Sequence, residues 1–475
     1  MDRAQISKRE TVSLPYKNMS FCGREVFVLP GESTPDDLAR EITRNLGKYD
    51  ANGAVYISHL DRLIENYQRW KEYLPRVDMF YAMKCNDDEM VLLLLHQLGV
   101  RFECASQREV ETVINLGVRP EDVVIGNPTR TGPCLRYFAS HGIDLLAVDS
   151  EKEMAKIKKL HPKARLLLRV RIVPDSENDV EISLGLKFGC HPNDSRQLLE
   201  KAIQLELDVV GITFHIGSGI LNTRAYASAI EQVAPLYDIA REIGFDMTIL
   251  NIGGGIHGGD MAIEKTCEEL NRALNIHFPA SSGVRVIAEP GRFLVTSLGN
   301  LYINILNKRE KKALVRGYNA LKSDGRRPDS DRGESVTHTG LELCRNDDVP
   351  DRMYICNESI FQFFALNLHA SYEIRRFEPL NPPRNTSDSY RSIIYGLSCC
   401  GIDMLGDNVV LPDMEVGDWL TVDNMGNYSR SMRSDFNSLP ERSEYVTISE
   451  KYANMLGSEM RCYPNGRSGH VRSDG

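Results

Sequence analysis

Residues 79–86 read Met-Phe-Tyr-Ala-Met-Lys-Cys-Asn. The five apolar residues at 79–83 are typical of a strand covered on both faces, as the strands of a parallel sheet are. A cation at the end of such a strand is costly to bury unless it has a partner or a chemical task. Desolvation favours the neutral amine, which forms Schiff bases with carbonyl compounds, so Lys84 is interpreted as the anchor of an aldehyde cofactor. The alternative is an ordinary strand-end lysine that reaches solvent.

Outward from this segment, short apolar strands alternate with amphipathic helices from about residue 52 to residue 300. The predicted strands are 54–57, 79–83, 101–104, 123–125, 145–148, 166–170, 209–214, 248–252 and 285–288. The helical patterns are 60–74, 89–98, 107–116, 151–160, 195–204 and 223–243. This alternation indicates βαβ units, and about eight repeats over roughly 240 residues match a (β/α)8 barrel. A doubly wound open sheet is the second possibility, because periodicity does not show closure.

The pattern changes after residue 300, where strands follow one another without helices between them. These predicted strands are 301–306, 354–356, 391–395 and 419–422. They favour a second, mostly antiparallel β domain over 301–448, to which residues 1–51 are expected to contribute. The polar stretch 317–350 is predicted to be a flexible loop, and 449–475 a weakly structured tail.

Composition narrows the class of protein. A chain of 475 residues suggests two domains, and 42% apolar and 26% charged residues are ordinary for a globular protein. A net charge of −9 without a long basic run argues against nucleic acid as a partner. No segment approaches the ~20 apolar residues of a membrane span, and the N-terminus lacks the apolar core of a signal peptide. Eleven cysteines without paired spacing predict reduced thiols in a cytoplasmic protein and no metal site.

Two glycine-containing stretches stand where predicted strands end, the position at which barrels gather functional residues. Residues 251–259 read Asn-Ile-Gly-Gly-Gly-Ile-His-Gly-Gly, and three consecutive glycines let backbone N–H groups approach a phosphate. A tight turn is the alternative. Residues 288–292 read Ala-Glu-Pro-Gly-Arg. There Glu289 could serve a cationic ring nitrogen and Arg292 a phosphate, or the two could form a surface pair.

Two further stretches add a histidine and a cysteine pair. Residues 214–219 read Phe-His-Ile-Gly-Ser-Gly, in which His215 could stack on a flat cofactor and Ser218 donate to a phosphate. A satisfied, partly buried histidine is the alternative. Residues 398–403 read Ser-Cys-Cys-Gly-Ile-Asp. Adjacent cysteines on a strand point to opposite faces, so a shared metal is not predicted, and one thiol could donate a proton or be inert. A Schiff-base lysine, a phosphate loop, an acid and a stacking histidine together suit pyridoxal 5'-phosphate.

With these motifs in this order and spacing, the chain resembles the eukaryotic ornithine decarboxylase family from about residue 20 to residue 447. The family's members are pyridoxal-phosphate decarboxylases with an alanine-racemase-like fold, a (β/α)8 barrel followed by a β domain. The resemblance implies that Lys84, Cys399, His215 and Glu289 act in catalysis. It implies cofactor contacts from Lys84, Glu103, Arg169, His215, Ser218, Gly253, Gly254, Gly255, Glu289, Gly291, Arg292 and Tyr428.

The resemblance also implies how the active site is assembled. It implies a two-fold homodimer with shared active sites, in which Cys399 serves the other subunit's site and gives a proton to the α-carbon after carbon dioxide leaves. The implied activity is decarboxylation of an L-amino acid in amine and polyamine biosynthesis, in the cytoplasm. Antizyme is the implied protein partner.

Two positions depart from the family's motifs. Where the family has Asn-Asp-Gly and Cys-Asp-Gly, residues 357–359 read Asn-Glu-Ser and residues 399–401 read Cys-Cys-Gly. The resemblance implies that the two missing aspartates meet the distal amine of ornithine. A buried ammonium is costly without compensating charge, so ornithine binding is expected to weaken. Glu358, Cys400 and Phe436 are then expected to line a changed substrate pocket, which suits either a cationic head at Glu358 or a neutral or bulkier amino acid.

Three hypotheses follow. The first is a decarboxylase, with a basic substrate favoured. The second is an inactive regulator that resembles antizyme inhibitors, against which the retained Lys84 and Cys399 speak. The third is a racemase on the same barrel, which would need a second base on the opposite face of the substrate.

Overall fold

The computed structural model describes residues 16–21, 23–44, 46, 49–172, 179–259, 262–312, 349–368, 375–382 and 388–459. The first part of the chain forms β1 (Lys17–Phe21), β2 (Arg24–Leu29), α1 (Pro35–Arg44), β3 (Val55–His59), α2 (Leu60–Tyr73), β4 (Val77–Ala82), α3 (Glu89–Gln97), β5 (Arg101–Cys104), α4 (Gln107–Asn115), β6 (Val123–Ile125), α5 (Gly132–Ser140), β7 (Leu145–Val148), α6 (Glu151–Leu160), β8 (Arg165–Arg169), β9 (Val180–Ile182), α7 (Ser195–Gln204), β10 (Asp208–Thr213), β11 (Ser218–Ile220), α8 (Ala225–Ile243), β12 (Ile249–Asn251), α9 (Glu264–His277), β13 (Arg285–Ala288) and α10 (Arg292–Val295).

The second part is mostly strand. It forms β14 (Gly299–Glu310), β15 (Arg352–Cys356), β16 (Phe377–Pro379), β17 (Ser389–Tyr395), β18 (Met404–Pro412), β19 (Trp419–Val422), β20 (Ser443–Ser449) and α11 (Glu450–Glu459). The predicted loop at 317–350 lies outside the described residues except for its last two positions.

Eight parallel strands close into a barrel in the order β10-β12-β13-β4-β5-β6-β7-β8. Closure confirms the (β/α)8 prediction and excludes the open sheet. One side-chain cluster, made of alternate residues from the strands, fills the barrel interior: Phe80, Val124, Leu145, Leu167, Ile249 and Ile287. The other faces of the same strands pack under the helices. Because all eight strands run in parallel, their carboxyl ends meet at one end of the barrel.

A second sheet holds ten strands and is mostly antiparallel, as predicted. Its path runs β1-β2-β20-β3-β14-β15-β17-β18, and off this path β19 pairs with both β14 and β16. The N-terminal hairpin joins it through β2, which pairs with β20. The strand β3 also belongs here, since it pairs with β14 and β20 and not with the barrel. This corrects the expectation that the barrel begins at residue 52, because a buried apolar strand shows the same pattern in either sheet.

The start of the predicted tail is ordered. Residues 450–459 form α11, in which Tyr452 and Leu456 are buried at 4% and 2% exposure against the main core. The expectation of a weakly structured segment from 449 is therefore wrong for these residues, because the burial of one apolar face stabilises the helix. In the part of the chain that the structure describes, no helix is both long and apolar enough to cross a membrane.

Candidate active site

Lys84 lies directly beyond the carboxyl end of β4, in a short 3-10 turn at Met83–Cys85. Both of its neighbours are buried, while 45% of the Lys84 side chain is exposed, into a cavity of about 690 Å³. Its Nζ lies 3.0 Å from Oε2 of Glu103, which is the last residue but one of the next strand, β5, and is only 2% exposed. The turn thus directs the one polar side chain of this segment into the cavity.

The charge of Lys84 differs from the sequence expectation. Burial lowers the pKa of the ammonium, as expected, but the carboxylates of Glu103 and Glu289 raise it by more, so that it lies above the ordinary value for lysine. In the protein alone, the ammonium is the cation that compensates two buried carboxylates.

Glu289 directly follows the barrel strand β13 and is 7% exposed. Burial and the nearby charge of Glu103 raise the pKa of its carboxyl group, whereas Lys84 lowers it. Its Oε1 accepts a hydrogen bond of 2.7 Å from Nδ2 of Asn251, whose Oδ1 accepts the N–H of Gly253 at 2.9 Å. Asn251 therefore fixes both the acid and the start of the glycine loop, a role that the sequence did not predict.

The three glycines after β12 form a loop that packs closely on the backbone of neighbouring site segments. Gly253 and Gly255 have φ of +68° and +110°, in the left-handed region that favours glycine. A Cβ atom at Gly254 would lie 2.5 Å from the carbonyl oxygen of Glu289 and 3.4 Å from Nε2 of His215. Side chains at these positions would therefore strain the loop or displace the site residues.

His215 follows β10 and is half-buried beside this loop. Its Nδ1 accepts the N–H of Gly217 at 3.0 Å, which fixes the ring. Burial, together with the positive charges of Lys84, Arg169 and Arg292, lowers the pKa of His215 to about 3. The imidazole is therefore neutral at physiological pH, as a ring that stacks on a flat cofactor should be.

Two arginines lie near His215, and the positive charge of each lowers its pKa. Arg169 ends β8, donates to the carbonyl oxygen of Gly126 at 2.7 Å and lies 4.7 Å from the ring centroid of Phe188. Arg292 begins α10, and its guanidinium lies 4.5 Å from the ring centroid of Tyr428. Tyr428 is tied to the Lys84 turn, since its N–H donates to the carbonyl oxygen of Cys85 at 2.8 Å.

The cavity wall includes seven of the twelve residues predicted to contact the cofactor and several residues that were not predicted; its lining does not include Gly253, Gly254, Gly255, Gly291 and Arg292. Those predicted and found on it are Lys84, Glu103, Arg169, His215, Ser218, Glu289 and Tyr428. Those not predicted are Ala105, Gly126, Asn127, Thr129, Leu184, Lys187 and Phe188. None of the second set lies in one of the motifs from which the site was predicted, so the sequence alone did not assign these residues to it.

These residues fit pyridoxal phosphate. The cavity of about 690 Å³ has room for it, and its wall combines a lysine, two carboxylates and a neutral histidine. The loop at residues 253–255 lies too close to the neighbouring backbone for a Cβ atom, and glycines of this kind let a backbone approach a phosphate. Gly291 is equally constrained, because its Cβ would lie 2.9 Å from Cβ of Cys85. Lys84 would hold the aldehyde carbon, Glu289 the ring nitrogen and Arg292 the phosphate.

Four predicted residues lie apart from this cavity, in the β domain. Cys399 and Cys400 follow the end of β17 in a bend, not in a strand, so the expectation that they face opposite sides of a strand is wrong. The thiol-bearing residue Cys399 is exposed, and its N–H donates to Oδ1 of Asn437 at 2.9 Å. Phe436 is 43% exposed and packs on Phe361 at 4.3 Å between ring centroids.

Glu358, the fourth, is almost completely buried, with 1% exposure, and does not line the cavity. Its Oε2 lies 4.0 Å from a terminal nitrogen of Arg442. Burial raises the pKa of Glu358 to about 7, although Arg442 lowers it. Among the described residues, no group of three or more His, Cys, Asp or Glu side chains could hold a metal ion.

The chain matches two family models that together span most of the described residues. Residues 60–296 match the pyridoxal-binding domain of pyridoxal-dependent decarboxylases, and residues 293–426 match the C-terminal sheet domain of the same enzymes. The boundary between the two matches falls where the barrel ends and the second sheet continues.

Individual relatives support the same assignment. The chain is 33% identical to ornithine decarboxylase of Rattus norvegicus over 88% of this chain and 85% of that protein. It is 32% identical to antizyme inhibitor 2 of Xenopus laevis over 85% and 83%. Its fold is similar to that of the Paramecium bursaria Chlorella virus arginine decarboxylase bound to agmatine, with a TM-score of 0.73 and 28% identity over 86% of this chain and 100% of that one.

Proposed function

Since this chain belongs to the family of pyridoxal-phosphate-dependent amino-acid decarboxylases that includes ornithine decarboxylase, we propose that its substrate is an L-amino acid other than ornithine. The observation that carries this proposal is the position of Glu358. The carboxylate expected to meet a distal ammonium is buried beside Arg442 and does not line the cavity. The second aspartate of the family's motif is replaced by Cys400, which carries no carboxylate at all.

Pyridoxal phosphate supplies an aldehyde for the substrate amine and an electron sink for the bond that breaks. The residues of this chain prepare the site for that chemistry. Glu289 is held in place by Asn251 and offers a carboxylate to the ring nitrogen. His215 presents a neutral ring, and Arg169 places a fixed positive charge on the wall that Phe188 shares. Lys84 donates a hydrogen bond of 3.0 Å to Oε2 of Glu103, which orients the lysine at the cavity.

A panel of amino acids tests the proposal. The protein, purified with its cofactor, is incubated with each common L-amino acid and with ornithine, and the amines formed are identified by mass spectrometry. We expect one amine other than putrescine to form fastest. Putrescine as the main product would contradict the proposed shift of substrate, and a purified protein without the cofactor's visible absorbance would contradict the proposed activity.

We also propose that the enzyme works in the cytoplasm as a homodimer, in amine biosynthesis. The exposure of Cys399 and Phe436 supports the dimer. A thiol that protonates the α-carbon must lie against a cofactor site, and Cys399 does not line the cavity of its own subunit, so it would serve the cavity of the other subunit. Mixed Lys84→Ala and Cys399→Ala subunits should regain up to about a quarter of the wild-type activity, since half of the random dimers carry one intact site. No regain on mixing would contradict shared sites.

A second function is favoured by one specific observation, the similarity to antizyme inhibitor 2, which is close to that of ornithine decarboxylase. An inactive regulator would bind antizyme and release no carbon dioxide from any amino acid. The retained Lys84 and Cys399 speak against it, since a regulator has no chemical use for either. Capture of purified antizyme by the protein, combined with an amino-acid panel without products, would establish this function instead.

A further inference from the structure

Glu358 and Arg442 form a buried pair in the β domain. Their side chains are 1% and 3% exposed, and 4.0 Å separates the closest charged atoms. The guanidinium of Arg442 lies 3.6 Å from the ring centroid of Phe363, so an aromatic face fixes its plane. Oε1 of Glu358 accepts the N–H of Ser359 at 3.0 Å. Oε2 has no hydrogen-bond partner among the described residues and faces Arg442 alone.

This pair lies between two parts of the catalytic machinery. On one side, the carbonyl oxygen of Glu358 accepts the N–H of Leu397 at 2.8 Å, so Glu358 sits beside the bend that carries Cys399. On the other side, Arg442 pairs with Glu444 at 3.3 Å and Glu444 with Arg430 at 2.5 Å.

The series of ion pairs continues to the barrel. Arg430 pairs with Asp88 at 3.1 Å, and Asp88 caps α3 in the loop that follows Lys84. Arg442 is thus connected to the cysteine bend through Glu358, and to the loop after Lys84 through three ion pairs.

The pair offers no free negative charge in either protonation state of Glu358. When the carboxylate is ionised, Arg442 compensates it at 4.0 Å. When it is protonated, the guanidinium is the nearest charge and repels a cation. Asp403, the other carboxylate that faces Glu358, is occupied by Oγ of Ser359 and by two backbone N–H groups. A substrate ammonium would therefore find no acceptor here.

We propose that Arg442 is a specificity-determining residue, an internal counter-ion that occupies the place of a substrate's distal cation and selects amino acids with uncharged side chains. This inference rests on the proposed function, because it names the substrate class of that same site. Arg442 acts through Glu358, by keeping its carboxylate neutralised and withdrawn from the cavity.

The test compares three arginine variants purified with cofactor. Arg442→Met removes the charge and keeps the packing on Phe363, while Arg442→Lys keeps the charge. Arg352→Met is the matched control, because Arg352 also stacks on an aromatic ring, at 4.0 Å from Tyr390, and pairs with a carboxylate, at 2.7 Å from Asp413. For each variant, calorimetry gives the Kd for ornithine, and kcat/KM is measured for ornithine and for the preferred amino acid of the panel.

Arg442→Met should bind ornithine at least tenfold more tightly and raise its kcat/KM relative to the preferred amino acid at least tenfold. Arg442→Lys and Arg352→Met should retain wild-type values within about twofold. A purely structural role for Arg442 would lower all values together and leave the ratio unchanged. An Arg442→Met protein that shows the cofactor's visible absorbance but unchanged ornithine affinity and ratio overturns the inference.

If Arg442→Met does not fold, Glu358→Gln tests whether Glu358 contacts the ammonium of ornithine. Because Glu358 does not contact substrate in the wild type, this variant should leave the Kd for ornithine within about twofold. A tenfold weaker binding would show that Glu358 already receives the ammonium and overturns the inference. The calorimetric result is independent of turnover. If Arg442→Met binds ornithine more tightly but no amino acid gives a product, the inference is supported and the proposed function fails. If an amino acid is decarboxylated but Arg442→Met binds ornithine no more tightly, the proposed function is supported and the inference fails.

Discussion

Buried charges are arranged differently at the carboxyl end of the barrel and in the β-domain wall, by which we mean the buried Glu358–Arg442 pair and its surroundings. At the barrel end, Lys84, Glu103 and Glu289 face a cavity of about 690 Å³. In the β-domain wall, Glu358 and Arg442 face each other without solvent. The charged groups at the barrel end are accessible to a ligand in the cavity, whereas the charges of Glu358 and Arg442 compensate each other inside the protein. Cofactor chemistry can therefore be retained on one side of a site while substrate recognition is changed on the other.

Removal of the lysine should have the largest effect. Lys84→Ala removes the amine that holds the cofactor and the cation that compensates Glu103 and Glu289. We expect a loss of at least about a thousandfold in kcat for the preferred amino acid and loss of the cofactor's visible absorbance. Lys71→Ala, at an exposed lysine on α2, is the control and should retain both. An active Lys84→Ala protein would show that the barrel end is not the reaction site.

The β-domain pair should show its burial in the pH dependence of stability. Burial raises the pKa of Glu358 to about 7, while in the unfolded chain it titrates near 4.3. Between these values the folded protein binds a proton that the unfolded chain has lost, so this group makes the wild type less stable as pH rises from about 4 to about 7. The groups facing Glu358 are Arg442, which lowers its pKa, and Asp403, which raises it.

Glu358→Gln removes this titration. Its free energy of unfolding, relative to the wild type, should therefore rise by up to about 3 kcal/mol between pH 5 and pH 8. Denaturant unfolding at a series of pH values measures the difference. A difference that stays constant with pH would mean that Glu358 is ionised throughout and is stabilised by more than Arg442.

The acid at the barrel end should matter for kcat rather than for binding. Glu289→Gln keeps the hydrogen bond with Asn251 but removes the negative charge offered to the ring nitrogen. A fall in kcat of about a hundredfold, with cofactor still bound at Lys84, is expected. Steady-state kinetics with the preferred amino acid, at saturating cofactor, measures it. An unchanged kcat would remove Glu289 from the proposed mechanism.

Asn251 should show a smaller effect of the same kind. Asn251→Ala leaves the charge of Glu289 but frees its carboxylate and the N–H of Gly253. We expect a roughly tenfold lower kcat/KM, about the cost of one misplaced hydrogen-bonded group. Asn275→Ala, at an exposed asparagine on α9, is the control. Equal losses in both variants would mean that Asn251 acts through stability and not through Glu289.

The sequence was most informative where a run of residues decides a local structure. The strands at 101–104, 123–125, 145–148 and 285–288 have the predicted bounds, because polar or turn residues enclose each apolar run. The lysine, glycine-loop and glutamate motifs come together at one cavity because parallel strands end on the same side. The sheet to which β3 belongs could not be predicted, since pairing partners lie more than two hundred residues away.

Charge partners were the least predictable feature. The pKa of Lys84 is raised and not lowered, because Glu103 and Glu289 are distant in sequence and meet it only in the fold. Arg442 stands in a polar stretch without a motif, and nothing in the sequence connects it to Glu358, 84 positions earlier. The withdrawal of Glu358 from the cavity is therefore visible only in three dimensions.

A double-mutant cycle of Arg442 and Glu358 measures whether Arg442 takes up the charge of the Glu358 carboxylate. The free energies of unfolding of the wild type, Arg442→Met, Glu358→Gln and the double variant are measured at pH 8, where the carboxylate is mostly ionised. We expect a coupling free energy of about 1–3 kcal/mol between the two side chains, in favour of the folded state. A coupling below about 0.5 kcal/mol would contradict it, because the buried carboxylate would then be free to receive a substrate cation.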